Sequence, residues 1–134
     1  MNRYRAAIGP EAECEPGSRG RVLRNLRGVK SKSAMDEMEA TALAWVQERY
    51  LTEGIVTKDT RFTADLIKQM HGDWLGGIYE WAGTYRTVDI SKDDFRFPPA
   101  CLISENMQAF ESNFLSVLTP CKPASIRDVC EAVA

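Results

Sequence analysis

The chain is poor in histidine and lacks the paired cysteines from which zinc sites are built. It holds a single histidine, His71, too few for the usual zinc spacings of cysteine and histidine. Its cysteines, Cys14, Cys101, Cys121 and Cys130, form no Cys-x-x-Cys pair. They read as buried or idle thiols, and no metal ligand is expected among the side chains. No apolar run approaches the roughly 20 residues of a membrane-crossing helix. The opening Met1 to Pro10 has no apolar stretch of signal-peptide type. A cytoplasmic protein without a membrane partner is the expectation.

What is present suits one soluble domain. A length of 134 residues supports a single core. The net charge of −2 conceals a split, because residues 1–32 carry eight Arg or Lys against three Glu, while residues 33–134 carry nine against sixteen acidic groups. Arg19, Arg21, Arg24, Arg27, Lys30 and Lys32 are able to meet phosphates or an acidic partner. A solvated, partly disordered lead-in is the preferred reading, since no aromatic residues interleave with the charges, and nucleic acid is not the expected partner.

Aromatic density locates the centre of the fold. Residues 71–99 hold Trp74, Tyr79, Trp81, Tyr85, Phe95 and Phe97, half of the twelve aromatic side chains. Before this stretch, Thr63 offers an N-cap with Asp65 in the first turn, and Phe62 and Ile67 stand where a hydrophobic staple would close. Leu66, Ile67, Met70 and Trp74 then recur on one helical face, and Gly76-Gly77 predicts a left-handed stop. The run Tyr85 to Ile90 alternates, with Arg86, Val88 and Ile90 on one face and Tyr85, Thr87 and Asp89 on the other, which predicts a strand. Ser91 to Asp94 reads as a turn and Phe95 to Phe97 as the return strand, closed by Pro98-Pro99. A lone hairpin is marginal in water, so it must lean on the helices or await a partner strand.

The remaining elements follow from periodicity. Residues 1–19 show no apolar period and read as an irregular arm. Met35, Met38, Leu43, Val46 and Tyr50 mark a first helix over 33–51 with Ser33 as its cap, ended near Gly54. Ile103, Met107, Phe110, Phe114 and Val117 mark a third, over 100–118, whose stripe is expected to be core. Ser125 caps a last segment in which Ile126, Val129, Cys130 and Val133 begin a further apolar face, and the sequence stops at Ala134 with that stripe still running. The expectation is a chain cut inside a helix.

These residues resemble a family. A helix with His71 near its end, then Ile78-Tyr79-Glu80-Trp81-Ala82-Gly83, Tyr85-Arg86-Thr87-Val88, Ile90-Ser91-Lys92 and Phe95-x-Phe97-x-Pro99, is similar to the first half of a Fic (Fido) domain, as is the lead-in Val22 to Asn25 and Gly28-Val29. The resemblance spans residues 20–134. It implies a mainly α fold, a Fic-like bundle of about four helices with one β-hairpin flap, incomplete at its C-terminal end. In the family the flap holds a target protein beside the nucleotide. The matching target-docking positions are Val88, Asp89, Ile90, Ser91 and Lys92, with Ile90 the first choice as clamp, and a hairpin that merely covers the core is an equal reading. Trp81, Gly83, Tyr85 and Arg86 are assigned to structure, Arg86 as a cap for carbonyls or a partner for a carboxylate such as Glu80.

The resemblance also implies transfer of AMP from ATP, with Mg²⁺, to a Ser, Thr or Tyr hydroxyl. The family performs this with a loop of the form His-Pro-Phe-x-(Asp/Glu)-Gly-Asn-Gly-Arg, whose histidine takes the proton and whose acidic residue holds the metal. Neither His-Pro nor Gly-Asn-Gly occurs in this sequence. No catalytic or metal role is therefore assigned to any residue, tight ATP binding is not expected, and His71 is read as a packing or capping group. The first functional reading is the N-terminal portion of an AMP-transferase, inactive as it stands. The second is a non-catalytic module that pairs with partners through the hairpin, with an antitoxin or a second copy as further candidates.

Overall fold

The protein is described here from a computed structural model that covers residues 9–92 and 94–120. It is mainly helical. Helix α1 spans Lys32–Thr52, α2 Ala64–Leu75 and α3 Ile103–Phe110; α3 continues through a π-helical turn, Glu111–Leu115, into a last turn, Ser116–Leu118. Short 3₁₀ turns occupy Pro10–Ala12 and Ala100–Leu102. Strands β1, Ser91–Lys92, and β2, Phe95–Arg96, form the antiparallel ladder among the described residues, with Ser91 opposite Arg96 and Lys92 opposite Phe95.

The helix starts obey capping chemistry. The hydroxyl of Thr63 accepts the Leu66 amide at 3.1 Å, satisfying one of the donors that the first turn of α2 leaves open. For α1 the cap is Ser31, whose hydroxyl accepts the Ala34 amide, and not Ser33. Gly54, at φ 68°, turns the chain out of α1 through the left-handed region. Gly76 does not do the same for α2. It stays right-handed at φ −63°, donates its N–H to the Gly72 carbonyl at 2.7 Å, and passes the chain into a run of helical turns that carries Ile78 and Tyr79 inward.

Those turns complete the core. Val22, Met35, Leu75, Ile78 and Tyr79 form one buried cluster, with Trp74 and Trp81 packed against it. Polar clasps lock α1 to α2 around this cluster. The Tyr79 hydroxyl donates to the Glu39 carboxylate at 2.6 Å, the Trp74 indole N–H to the Glu39 carbonyl at 2.9 Å, and the Tyr50 hydroxyl to the Asp73 carboxylate at 2.7 Å. Each is an aromatic body buried in the core with its polar end satisfied at the rim.

The lead-in is built rather than loose. Residues 13–15 pair with 22–24 through the Glu15 N–H to Val22 carbonyl and Arg24 N–H to Glu13 carbonyl bonds. Asn25 then organises the next turn, its side chain accepting the amides of Arg27 and Val29 and donating to the carbonyls of Leu23 and Val29. The Leu26 amide bonds the Ile78 carbonyl at 2.8 Å and so ties this segment to the core.

Two expectations need correction. Tyr85 to Ile90 is irregular, with a bend at Val88, and forms no strand; the ladder begins at Ser91, in the stretch that reads as a turn, and is two residues long on each side. The alternation survives without a ladder because Val88 is buried while Thr87 and Asp89 are exposed. The third helix keeps its extent, but Phe110, Phe114 and Val117 stand 40%, 53% and 73% exposed, so that three of its five stripe residues are not core, and Ile103 and Met107 are half-buried. The segment capped by Ser125, and with it the fourth helix, lies outside the described residues.

Core truncation should therefore register at Leu75 and not at Leu51, which is 69% exposed at the end of α1. Leu75→Ala is expected to cost about 2–5 kcal/mol and Leu51→Ala less than about 0.5 kcal/mol, measured by urea unfolding followed through tryptophan fluorescence.

Candidate functional site

The region that the sequence singles out lies where α2, the turns over 79–84 and α3 meet. Its base is a backbone contact. Gly83 sits at φ 79°, and a Cβ placed on it would lie 3.1 Å from the Gly72 Cα. Only a residue without a side chain lets this turn lie flat on the helix. The Gly83 amide donates to His71 Nδ1 at 2.9 Å, which places the ring proton on Nε2 and gives the imidazole an acceptor role. Burial lowers the His71 pKa below its ordinary value, and no counter-charge opposes that shift. His71 is a structural acceptor here.

Trp81 stacks on Tyr79 with centroids 4.6 Å apart and leans on His71 at 6.0 Å. Its buried indole N–H has no hydrogen-bond partner among the described residues. Tyr85 lies under the Lys68 ammonium, 4.5 Å from ring centroid to Nζ. Together with Ile67, Val88, Ile103 and Met107 these groups line a hollow of about 420 Å³.

Above the hollow, side chains fasten the two ends of the hairpin to each other. Arg86 donates to the Val88 carbonyl at 2.6 Å and to the Pro98 carbonyl, so one guanidinium spans both arms at their root. Its nearest carboxylate is Asp89 at 4.0 Å, not Glu80. Asp89 in turn accepts the Ala100 amide at 2.7 Å, and the Phe97 amide bonds the Ile90 carbonyl at 3.2 Å.

The predicted docking residues therefore divide. Val88 is 3% exposed, a core side chain rather than one that can touch a target. Asp89 is exposed but committed to the root, and Ile90 and Ser91 are half-buried at the start of the ladder. Lys92 pairs with Phe95 through the backbone. Phe95 and Phe97 were not assigned to docking by sequence, yet they are 62% and 36% exposed and meet edge to face at 5.0 Å. Their alternation with the charged Arg96 was the available signal, because it places both rings on one side of a ribbon too small to have a core of its own.

Chemically the arrangement is a scaffold. Among the described residues, no group of three His, Cys, Asp or Glu side chains could hold a metal ion. The N-terminus of α2, an anion site by default, is closed by Thr63 and by the Glu111 carboxylate, which accepts the Ala64 amide at 2.7 Å. That helix end does not fit a phosphate group.

No family model matches the sequence. Over 97 residues, 72% of the chain, it is 33% identical to the protein adenylyltransferase VbhT of Bartonella schoenbuchensis. This supports a relationship to the Fic family. The aligned region is 19% of the length of that protein, so the chain corresponds to a small part of it. A mainly helical fold is consistent with the relationship, and no helix among the described residues is long and apolar enough to cross a membrane.

Two measurements test the structural reading. Gly83→Ala should destabilise the fold by about 1–3 kcal/mol, because it adds a left-handed alanine and a close contact, read as a lowered urea midpoint. The His71 shift has a definite sign. A base whose folded pKa is depressed binds protons better when unfolded, so stability present above the ordinary histidine value of about 6.5 is lost as pH falls through it toward the folded value. The stability gap between the native chain and His71→Gln should accordingly narrow below about pH 6.5, measured by unfolding at stepped pH.

Proposed function

We propose that this chain is the N-terminal portion of a Fic-type protein AMP-transferase and that its hairpin docks the target whose Ser, Thr or Tyr hydroxyl receives AMP from ATP. The observation that carries the reading is the 33% identity, over most of the chain, to a protein adenylyltransferase. The anchored root and exposed tip support it, since a projecting ribbon can add to an extended segment of a partner and fix its register by main-chain bonds. Ile90, Ser91 and the backbone of Lys92 remain the docking edge, and Phe95 with Phe97 adds an apolar contact. Proton removal from the hydroxyl, Mg²⁺ binding and the phosphate cradle are assigned to residues outside this sequence.

A second reading is a non-catalytic interaction module. The exposed Phe110, Phe114 and Val117 favour it, because an apolar stripe of this kind marks association surfaces. Sedimentation separates the two, with a defined dimer favouring the module.

The AMP-transfer reading is tested with α-labelled ATP. The 134-residue chain alone should label no protein above a blank without it, and joining it to a family segment that contains the His-Pro-Phe loop should give labelling that falls at least about tenfold in an Ile90→Ala, Phe95→Ala double variant. Labelling by the chain alone would refute the assignment of the chemistry to other residues.

A further inference from the structure

The arm before the lead-in carries a costly feature at an informative place. Glu11 is 7% exposed, and its carboxylate pairs with no cation among the described residues. Both of its oxygens are directed at one residue. Oε1 accepts the Thr87 amide at 2.9 Å and lies 3.1 Å from the Thr87 hydroxyl, which is 2.9 Å from Oε2. A buried carboxylate needs hydrogen-bond donors, and among the described residues Thr87 supplies those of Glu11, so that the pair fixes the two segments against each other. Thr87 is itself exposed and lies between Arg86 and Val88, at the point where the chain leaves the core for the hairpin.

The arm that carries Glu11 is rigidly connected to the core. The Ala12 amide bonds the Gly9 carbonyl at 3.0 Å, and Cys14 bridges to Leu23, next to the buried Val22. The approach is close as well as polar, because a Cβ on Gly9 would lie 2.4 Å from Val88 Cγ1. A continuous path thus runs from the core at Val22, through the paired segment 13–15, to Glu11, Thr87 and the hairpin root. Arg86 and Asp89 fasten the two hairpin arms to each other and to Ala100; Glu11 alone among these side chains ties the root to the N-terminal arm.

We propose that Glu11 is a positioning residue for the docking hairpin, its carboxylate bracing Thr87 so that the tip, residues 90–92 and 94–97, is presented in one orientation. This rests on the hairpin's proposed docking role for its meaning, but not for its physical test. The brace acts on a segment whose own ladder of two residue pairs is too short to be stable alone. Its loss should free the hairpin while leaving α2 intact.

The test is amide hydrogen exchange on the whole 134-residue chain, with no nucleotide or target present. Glu11→Ala should speed exchange about tenfold or more over residues 86–92 and 94–97, the effect of losing a charge-assisted bond, and leave the amides of α2 unchanged. Glu11→Gln should recover most of the protection, because its amide oxygen can still accept the Thr87 N–H. Thr87→Val, at an exposed position, keeps the amide bond and should give an intermediate effect; it also covers the case in which Glu11→Ala does not fold. Unchanged hairpin exchange in Glu11→Ala, or acceleration of α2 to the same degree, would overturn the brace. So would Thr87→Val indistinguishable from the native chain where Glu11→Ala does not fold. Because nothing is transferred in this measurement, a failure of the AMP-transfer reading leaves its outcome interpretable.

Discussion

The structure depends on the approach of one glycine to another. With Gly83 lying on Gly72, the chain leaves α2, makes its turns, and returns flat against the helix it has just formed. That return fixes three things together: Ile78 and Tyr79 enter the core, Trp81 stacks on Tyr79 and leans on His71, and the segment 85–90 starts from a defined point. The His71 acceptor supports the contact by satisfying the Gly83 amide, a donor that would otherwise be left without a partner. A side chain at Gly83, which is left-handed and would press on Gly72, would lift the turn.

From that point the energetics change character. The base of the molecule is held by apolar burial and by aromatic side chains with satisfied polar ends, the tyrosine and tryptophan clasps between α1 and α2. The hairpin has no such support. Its aromatic residues face outward, and its backbone ladder is minimal. Its place is set instead by side chains that bond backbone groups: Arg86 to two carbonyls, Asp89 to one amide and Glu11 to another. Bonds of this sort are directional and strong per contact, whereas burial is neither directional nor available at a thin projecting ribbon.

The helices were legible because their signals are local. Thr63 as a cap, Gly54 as a left-handed exit and the stripe of Met35, Val46 and Tyr50 all act within a turn or two of themselves. The core centre was legible for a related reason, since six aromatic side chains in one stretch must be packed somewhere. The ladder position was not. Alternation over 85–90 reports which side chains face inward, and it does so whether or not a neighbouring strand is present. Gly76 misled in the same way, because a glycine pair permits a left-handed stop without requiring one. Glu11 and Thr87 are 76 residues apart, and no periodicity can announce a bond at that distance.

The partition of the candidate site follows from the same contrast. Val88 reads as part of a docking edge in sequence because it belongs to an unbroken alternating run; in the fold it is the last side chain that the core retains, with the Gly9 contact closing over it. One residue further the chain is outside. Residues 86–89 supply the bonds and the burial that hold the root, and residues 94–97 beyond them are exposed. Burial and side-chain bonds therefore end together at the root, where Glu11, Arg86 and Asp89 bond backbone groups, and the rings of Phe95 and Phe97 beyond it are left to solvent.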